Sequence, residues 1–219
     1  MLIGILGVAG AGKDATADIL TKKHGFCRVA LADELKRTAQ RWYEFTDTQL
    51  WGPSEERNKP DPRYGDLSPR KVLQTLGTEV GRQIYPNTWV DYMLRVANRL
   101  LDPTGTEQPC YSPEKGLFFE HREGAWDPDK IPMGIVIPDV RFQNEVDSIR
   151  ATGGHVIKIT RPGAGLQGTA GQHTSETEQE HIPRELFSYF LPNTGTLEDL
   201  EKKVARMMEM LQGHPVPAT

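Results

Sequence analysis

The chain has 219 residues, 37% of them hydrophobic and 26% charged, with a net charge of −4 and a pI near 5.9. That length suits one domain with room for an elaborated insert, and it buries roughly 70% of its unfolded surface without a disulfide or metal staple. The acidic balance argues against a dedicated double-stranded nucleic-acid binder, which needs a basic face, while leaving room for a local cationic pocket. Cys27 and Cys110 are too few for a disulfide framework or a zinc cage. The longest apolar runs are about five residues, against about 20 for a membrane span, so a soluble, cytoplasmic protein with no membrane partner is expected.

In chain order, Leu2 to Leu6 reads as a buried strand running into a glycine-rich turn, Gly7 to Gly12. Asp14 to Lys23 follows as a helix stopped by Gly25, and Phe26 to Leu31 as a second strand. Strand, glycine loop, helix, strand is the unit that builds a parallel sheet. Ala32 to about Phe45 is helical, and residues 51–69, with four prolines, read as a surface loop. Ser68-Pro69 is an N-cap with proline at the first helical position, opening a helix to about Tyr85; Asn87 caps the next, through Leu101. Residues 102–134 are read as an ordered, hairpin-like insert anchored by Leu117-Phe118-Phe119 and Trp126. Gly134 to Asp139 is a buried strand, Arg141 to Ala151 a helix, and His155 to Thr160 a strand. Residues 161–175, with four glycines, read as a mobile loop, Phe187 to Leu191 as a last strand, and Thr196 as the cap of a final helix through Leu211. Five strands alternating with helices predict a doubly wound, mainly parallel α/β sheet, with ligands beyond the carboxyl ends of the strands.

Gly7-Val8-Ala9-Gly10-Ala11-Gly12-Lys13-Asp14 fits G-x-x-x-x-G-K after a strand and before a helix. Its amides can wrap phosphate oxygens at a helix N-terminus while Lys13 neutralises the outer phosphates. Asp14 stands where Ser or Thr is usual. Its carboxylate either holds magnesium, directly or through water, or simply favours the helix dipole. Asp139 closes a strand in the position of a second acid steadying the ion. Arg141 and Glu145 sit four apart, spaced to pair, with Arg141 a candidate for phosphate. On the helix after Ser68, Arg70, Gln74, Thr78 and Arg82 form a polar stripe, and Gly77 and Gly81 open a groove for another backbone or a ligand.

Together with Leu31-Ala32-x-x-Leu35-Lys36, Arg70-Lys71-x-x-Gln74-x-x-Gly77-Thr78, Trp89-Val90, Asp139-Val140-Arg141-Phe142-x-Asn144-Glu145 and Asn193-x-Gly195-Thr196-Leu197, these motifs resemble the deoxynucleoside monophosphate kinases of tailed bacteriophages. That family lies within the P-loop nucleoside monophosphate kinases. The resemblance implies a five-stranded sheet of that type with a mobile lid and an insert before the third core strand. It implies one kinase domain over 1–219, with an acceptor-binding helical region at about 32–101, the insert at about 102–134 and the lid at about 161–175. The implied reaction moves the γ-phosphate of ATP, with Mg2+, to a deoxynucleoside 5′-monophosphate in the cytoplasm, the host's if the chain is phage-encoded. Lys13, Asp14, Asp139, Arg141 and Glu145 would be catalytic, with Asp14 and Asp139 toward the metal. Gly7, Gly10, Ala11, Gly12, Lys13, Asp14, Ala15 and Arg161 would hold the ATP phosphates. Lys36, Arg70, Lys71, Gln74, Gly77, Thr78, Arg82 and Trp89 would bind the acceptor. Ala15 departs from the threonine frequent at that position and removes a hydroxyl near the phosphates.

The partners expected are small nucleotides rather than nucleic acid, and a homodimer is left open. Two alternatives stand beside this reading: a P-loop kinase of another phosphorylated small molecule, like dephospho-coenzyme A kinase, and an ATP-hydrolysing, nucleotide-gated binding or motor protein. The arginine-bearing helix and glycine-rich lid favour the kinase of nucleotides.

Overall fold

The protein is described by a computed structural model over residues 1–102, 107–112, 116–121, 131–165 and 178–213. β1 (Leu2–Leu6) is buried along its whole length because strands lie on both sides of it. Its neighbours are β5 (Gly134–Val140) and β6 (His155–Thr160), both parallel to it. β2 (Phe26–Arg28) pairs parallel with β5, and β7 (Tyr189–Pro192) parallel with β6. The sheet order is β2-β5-β1-β6-β7, the five-stranded parallel α/β sheet expected. The insert supplies β3 (Glu107–Ser112) and β4 (Gly116–His121), an antiparallel pair as anticipated, while Trp126 lies outside the described residues.

The period-two alternation of the strands builds two cores. Leu2, Leu6, Ile135, Ile137 and Val156 face one side, under α7 (Thr88–Leu101) and α8 (Gln143–Ala151). Ile3, Ile5, Val136, Ile157 and Ile159 face the other, under α1 (Lys13–His24) and the C-terminal helix (Leu197–Leu211). Central parallel strands must be apolar on both faces, which is why these runs are continuously hydrophobic. In α7 the buried Val90, Met93, Ala97 and Leu100 recur at three- and four-residue spacing.

A third, smaller core joins Ala39, Phe45, Leu50 and Val72. It packs α2 (Leu31–Tyr43) against α3 (Asp47–Trp51) and α5 (Pro69–Gln74), with α4 (Ser54–Asn58) following α3. Two expectations change here. The second strand ends at Arg28 rather than Leu31, since α2 begins there. Residues 51–69 are not a plain loop: they continue α3, form α4 and add a 3-10 turn at Pro62–Tyr64. Thr46 and Gln49 close a capping box that starts α3. The helix expected to run unbroken from Ser68 is also interrupted. A π segment, Thr75–Val80, separates α5 from α6 (Gly81–Ile84). Among the described residues no helix is long and apolar enough to cross a membrane.

Candidate active site

β1 runs straight into the glycine loop at the middle of the sheet. Gly10 (φ 79°) and Gly12 (φ 108°) hold left-handed conformations, which only glycine adopts without strain. Gly7 is packed so tightly on β6 that a Cβ would meet the Ile159 carbonyl. Asn193, at the end of β7, donates from Nδ2 to the Ala11 carbonyl at 2.9 Å, tying the loop to the far sheet edge. α1 begins without any side-chain cap, so its first amides remain available to an anion. Lys13 Nζ donates back to the Gly7 and Val8 carbonyls at 2.6 and 2.9 Å. Asp14 is exposed and paired with Arg28 at the end of β2. Ala15 packs against the core, and the neighbouring Thr16 does not replace its missing hydroxyl: buried, it bonds Gly12 O at 3.0 Å.

Asp139 and Glu145 both organise helix starts. Asp139 takes the Leu31 and Ala32 amides on Oδ1 and Oδ2 at 3.2 and 2.8 Å, capping α2 from 107 residues away. Its pKa is raised, burial outweighing the two amides and Arg141. Glu145 Oε2 accepts from the Arg141 and Phe142 amides at 2.8 and 3.1 Å. Its Oε1 lies 3.5 Å from Arg82 Nη1, so its described ion pair is with Arg82 rather than with Arg141. Burial lifts its pKa to about 7 against the pull of the amides and Arg82.

Arg82 in turn donates to Asn144 Oδ1 at 2.7 Å and stacks 3.7 Å above the Phe142 ring, fastening α6 to α8. The groove beside Gly77 and Gly81 is filled by the chain itself. The Trp89 indole lies against Gly81, where a Cβ would come within 2.5–3.0 Å of the ring. Its Nε1 donates to the Gly77 carbonyl at 2.6 Å, a carbonyl inside the π segment. Such one-turn widenings of a helix recur at functional sites.

These elements surround one cavity of about 560 Å³, within the usual size of a small-ligand site. Of the residues singled out from the sequence, Gly10, Lys13, Asp14, Lys36, Arg70, Gln74, Gly77, Thr78, Trp89, Asp139, Arg141 and Glu145 line it. Gly7, Ala11, Gly12 and Ala15 shape the loop behind the wall. Lys71, Arg82 and Arg161 are not in the lining: Lys71 pairs with Glu79 outside, Arg82 joins the two helices, and Arg161 is exposed after β6. Gly165 of the expected lid donates to Ala9 O in the phosphate loop at 2.9 Å; residues 166–175 of that lid lie outside the described residues. The buried Gln74 Nε2 has no hydrogen-bond partner among the described residues, an arrangement costing about 1–3 kcal/mol until something accepts from it.

Sequence reasoning missed five polar or aromatic lining side chains: Arg28, Asp33, Trp51, Ser54 and Arg57. The last three sit in the stretch whose prolines suggest a surface loop. The Thr46-x-x-Gln49 box, and the acids Glu55 and Glu56 just after Pro53-Ser54, are the local signals that would have marked its helices.

Among the described residues no group of three or more His, Cys, Asp or Glu could cage a metal. Asp14 and Asp139, both hard carboxylates on the cavity wall, suit Mg2+, which prefers one or two carboxylates completed by water and substrate phosphates.

No profile of a described protein family matches the chain. It is 33% identical to a protein of Acanthamoeba polyphaga mimivirus named a deoxynucleotide monophosphate kinase, over 93% of this chain and 94% of that protein. It is 24% identical to the deoxynucleoside-5′-monophosphate kinase of Escherichia phage T5, over 69% of this chain and 72% of the phage protein. Among solved structures it is similar to dephospho-CoA kinase from Campylobacter jejuni, at 14% identity and a TM-score of 0.46, covering 97% of this chain and 98% of that one.

Proposed function

The chain belongs to the deoxynucleotide monophosphate kinase family, and we propose from that premise that it transfers the γ-phosphate of ATP to a deoxynucleoside 5′-monophosphate. The observation that carries this is the shared cavity. Lys13 and Asp14 of the phosphate loop form one wall, and Arg70, Gln74, Thr78 and Trp89 of the acceptor helices form another.

On the donor side, the uncapped start of α1 and the loop amides cradle the triphosphate. Lys13 exchanges the Gly7 and Val8 carbonyls for the outer phosphate oxygens. On the acceptor side, Arg70 and Lys36 meet the monophosphate and Gln74 Nε2 finds the acceptor it lacks. An acceptor-phosphate oxygen then forms a bond to the γ-phosphorus as the bond from that phosphorus to the β–γ bridging oxygen breaks, and ADP leaves with the electron pair. Arg141 neutralises the charge that gathers on the transferring group. Asp14 and Asp139 are the residues that would hold Mg2+, directly or through water, and the ion would supply charge neutralisation. Asp139 and Glu145 fix the α2 and α8 starts that frame the cavity. No observation on this chain favours a coenzyme A precursor or a mechanical partner.

The test is direct: incubate the protein with ATP, Mg2+ and each deoxynucleoside monophosphate in turn, and resolve the products. Deoxynucleoside diphosphate with stoichiometric ADP is expected. ADP with inorganic phosphate and no diphosphate refutes the reading.

A further inference from the structure

Arg57 on α4 lies in the cavity wall, half-buried, and its described partners are all neutral. Nη1 donates to the Gly52 and Leu50 carbonyls at 2.8 and 3.4 Å, and Nη2 to Ser54 Oγ at 3.0 Å. These bonds use three of the five N–H groups a guanidinium carries and leave two to meet a ligand. Two of the other cavity cations differ. Arg28 is paired with Asp14 and Asp18, and Lys36 with Asp33. Arg57 has no ion pair among the described residues, although charges partly withdrawn from water are ordinarily paired.

Its surroundings say where an anion would sit. Burial pulls the Arg57 pKa below its ordinary value, with Asp14 opposing and Arg141 adding to that pull. Asp14 belongs to the donor loop and Arg141 follows the strand that ends in Asp139, so Arg57 stands within electrostatic range of both. Main-chain carbonyls at the end of α3 hold the guanidinium before any ligand arrives, and such preorganised charge stabilises a transition state without reorganisation.

We propose that Arg57 is a catalytic residue that touches the phosphoryl group in flight, its two spare N–H groups aimed at oxygens shared between donor and acceptor phosphates. This rests on the phosphotransferase reading above. It gives the proline-rich segment 51–69 a chemical role, the delivery of a charge from the acceptor side to the reacting centre.

The test compares wild type with Arg57→Ala and Arg57→Lys, using ATP, Mg2+ and whichever deoxynucleoside monophosphate wild type phosphorylates. Arg57→Ala should lower kcat by about a hundredfold or more, the scale of a lost transition-state donor, while KM for either nucleotide moves less than about threefold. Millimolar guanidinium added to Arg57→Ala should restore at least about tenfold of that rate, which a merely structural role would not allow. Arg57→Lys, keeping charge without the planar fork, should fall between. A kcat for Arg57→Ala within about threefold of wild type overturns the proposal. So does a lower kcat that guanidinium leaves unchanged and that follows a matching loss of folded protein by circular dichroism. If wild type transfers phosphate and Arg57→Ala gives either of those results, only the role of Arg57 falls; if wild type itself transfers none, the kinase reading falls with it.

Discussion

Gly81→Ala sets two effects of opposite sign against each other. Gly81 has φ −60° and ψ −43°, an ordinary helical conformation, so alanine should gain about 0.8–1.0 kcal/mol from helix propensity. Against that, the new Cβ would lie 2.5 Å from Trp89 Cζ2, 2.9 Å from Cε2 and 3.0 Å from Nε1. The indole is rigid, packs on the main core and is held by its bond to Gly77 O, so it cannot yield cheaply. Overpacking of this kind costs about 1–3 kcal/mol, and loss of the indole bond about 1 kcal/mol more. The clash wins by about 1–3 kcal/mol. At about 2–4 °C per kcal/mol for a chain of this size, a net 2 kcal/mol lowers the thermal midpoint by about 4–8 °C. Because Trp89 lines the cavity beside Gln74 and Thr78, KM for the monophosphate should rise more than KM for ATP. Gly77→Ala is the comparison, since its nearest obstacle is the flexible end of Leu35 at 3.0 Å, and it should cost less. A Gly81→Ala protein at least as stable as wild type refutes the reasoning.

Lys13→Ala should lose at least about tenfold in turnover with the fold intact, one charged hydrogen bond being worth about 1.5–3 kcal/mol; near-normal turnover removes the phosphate-loop role. Glu145 carries a pKa of about 7 against 4.5 unperturbed, so between those values the folded chain keeps a proton the unfolded chain has released. Its contribution is therefore full below pH 4.5 and lost as pH rises toward 7. Glu145→Gln should gain about 3 kcal/mol on wild type across that window in denaturant titrations, and a pH-independent difference would count against it. Gln74→Leu should stabilise the free protein by about 1 kcal/mol, by removing the buried orphan donor, and raise KM for the monophosphate about tenfold with little change for ATP. Equal effects on both substrates would return Gln74 to a structural role.

The strand cores were legible because a parallel sheet demands unbroken apolar runs, as in Leu2 to Leu6 and Gly134 to Pro138. The glycine loop was legible because its backbone needs glycine at Gly10 and Gly12. What stayed hidden depends on distant partners. The second strand looked longer than it is because nothing near Leu31 announces that Asp139 caps a helix there. The π segment is bonded, through the Gly77 carbonyl, to an indole twelve residues downstream, a partner no local pattern announces. The Arg141–Glu145 spacing suggested a side-chain pair, whereas Glu145 bonds the backbone amides and meets Arg82 63 positions away. Segment 51–69 has the composition of a loop, which hid the short helices that carry Trp51 and Arg57 to the cavity wall.

These placements decide the sign of the field inside the cavity. Its walls carry six cations, Lys13, Arg28, Lys36, Arg57, Arg70 and Arg141, and four acids, Asp14, Asp33, Asp139 and Glu145. A count of charges alone gives a small positive excess. The acids are not equivalent, however. Asp14 and Asp33 are paired with Arg28 and Lys36. Asp139 and Glu145 are bound to helix-start amides, whose N–H groups already take up part of their negative charge, and burial lifts the Glu145 pKa to about 7. Arg57, Arg70 and Arg141 are therefore opposed by less acid than the number of carboxyl groups suggests. An overall acidic protein thus presents a locally positive chamber where two phosphate chains would otherwise repel each other.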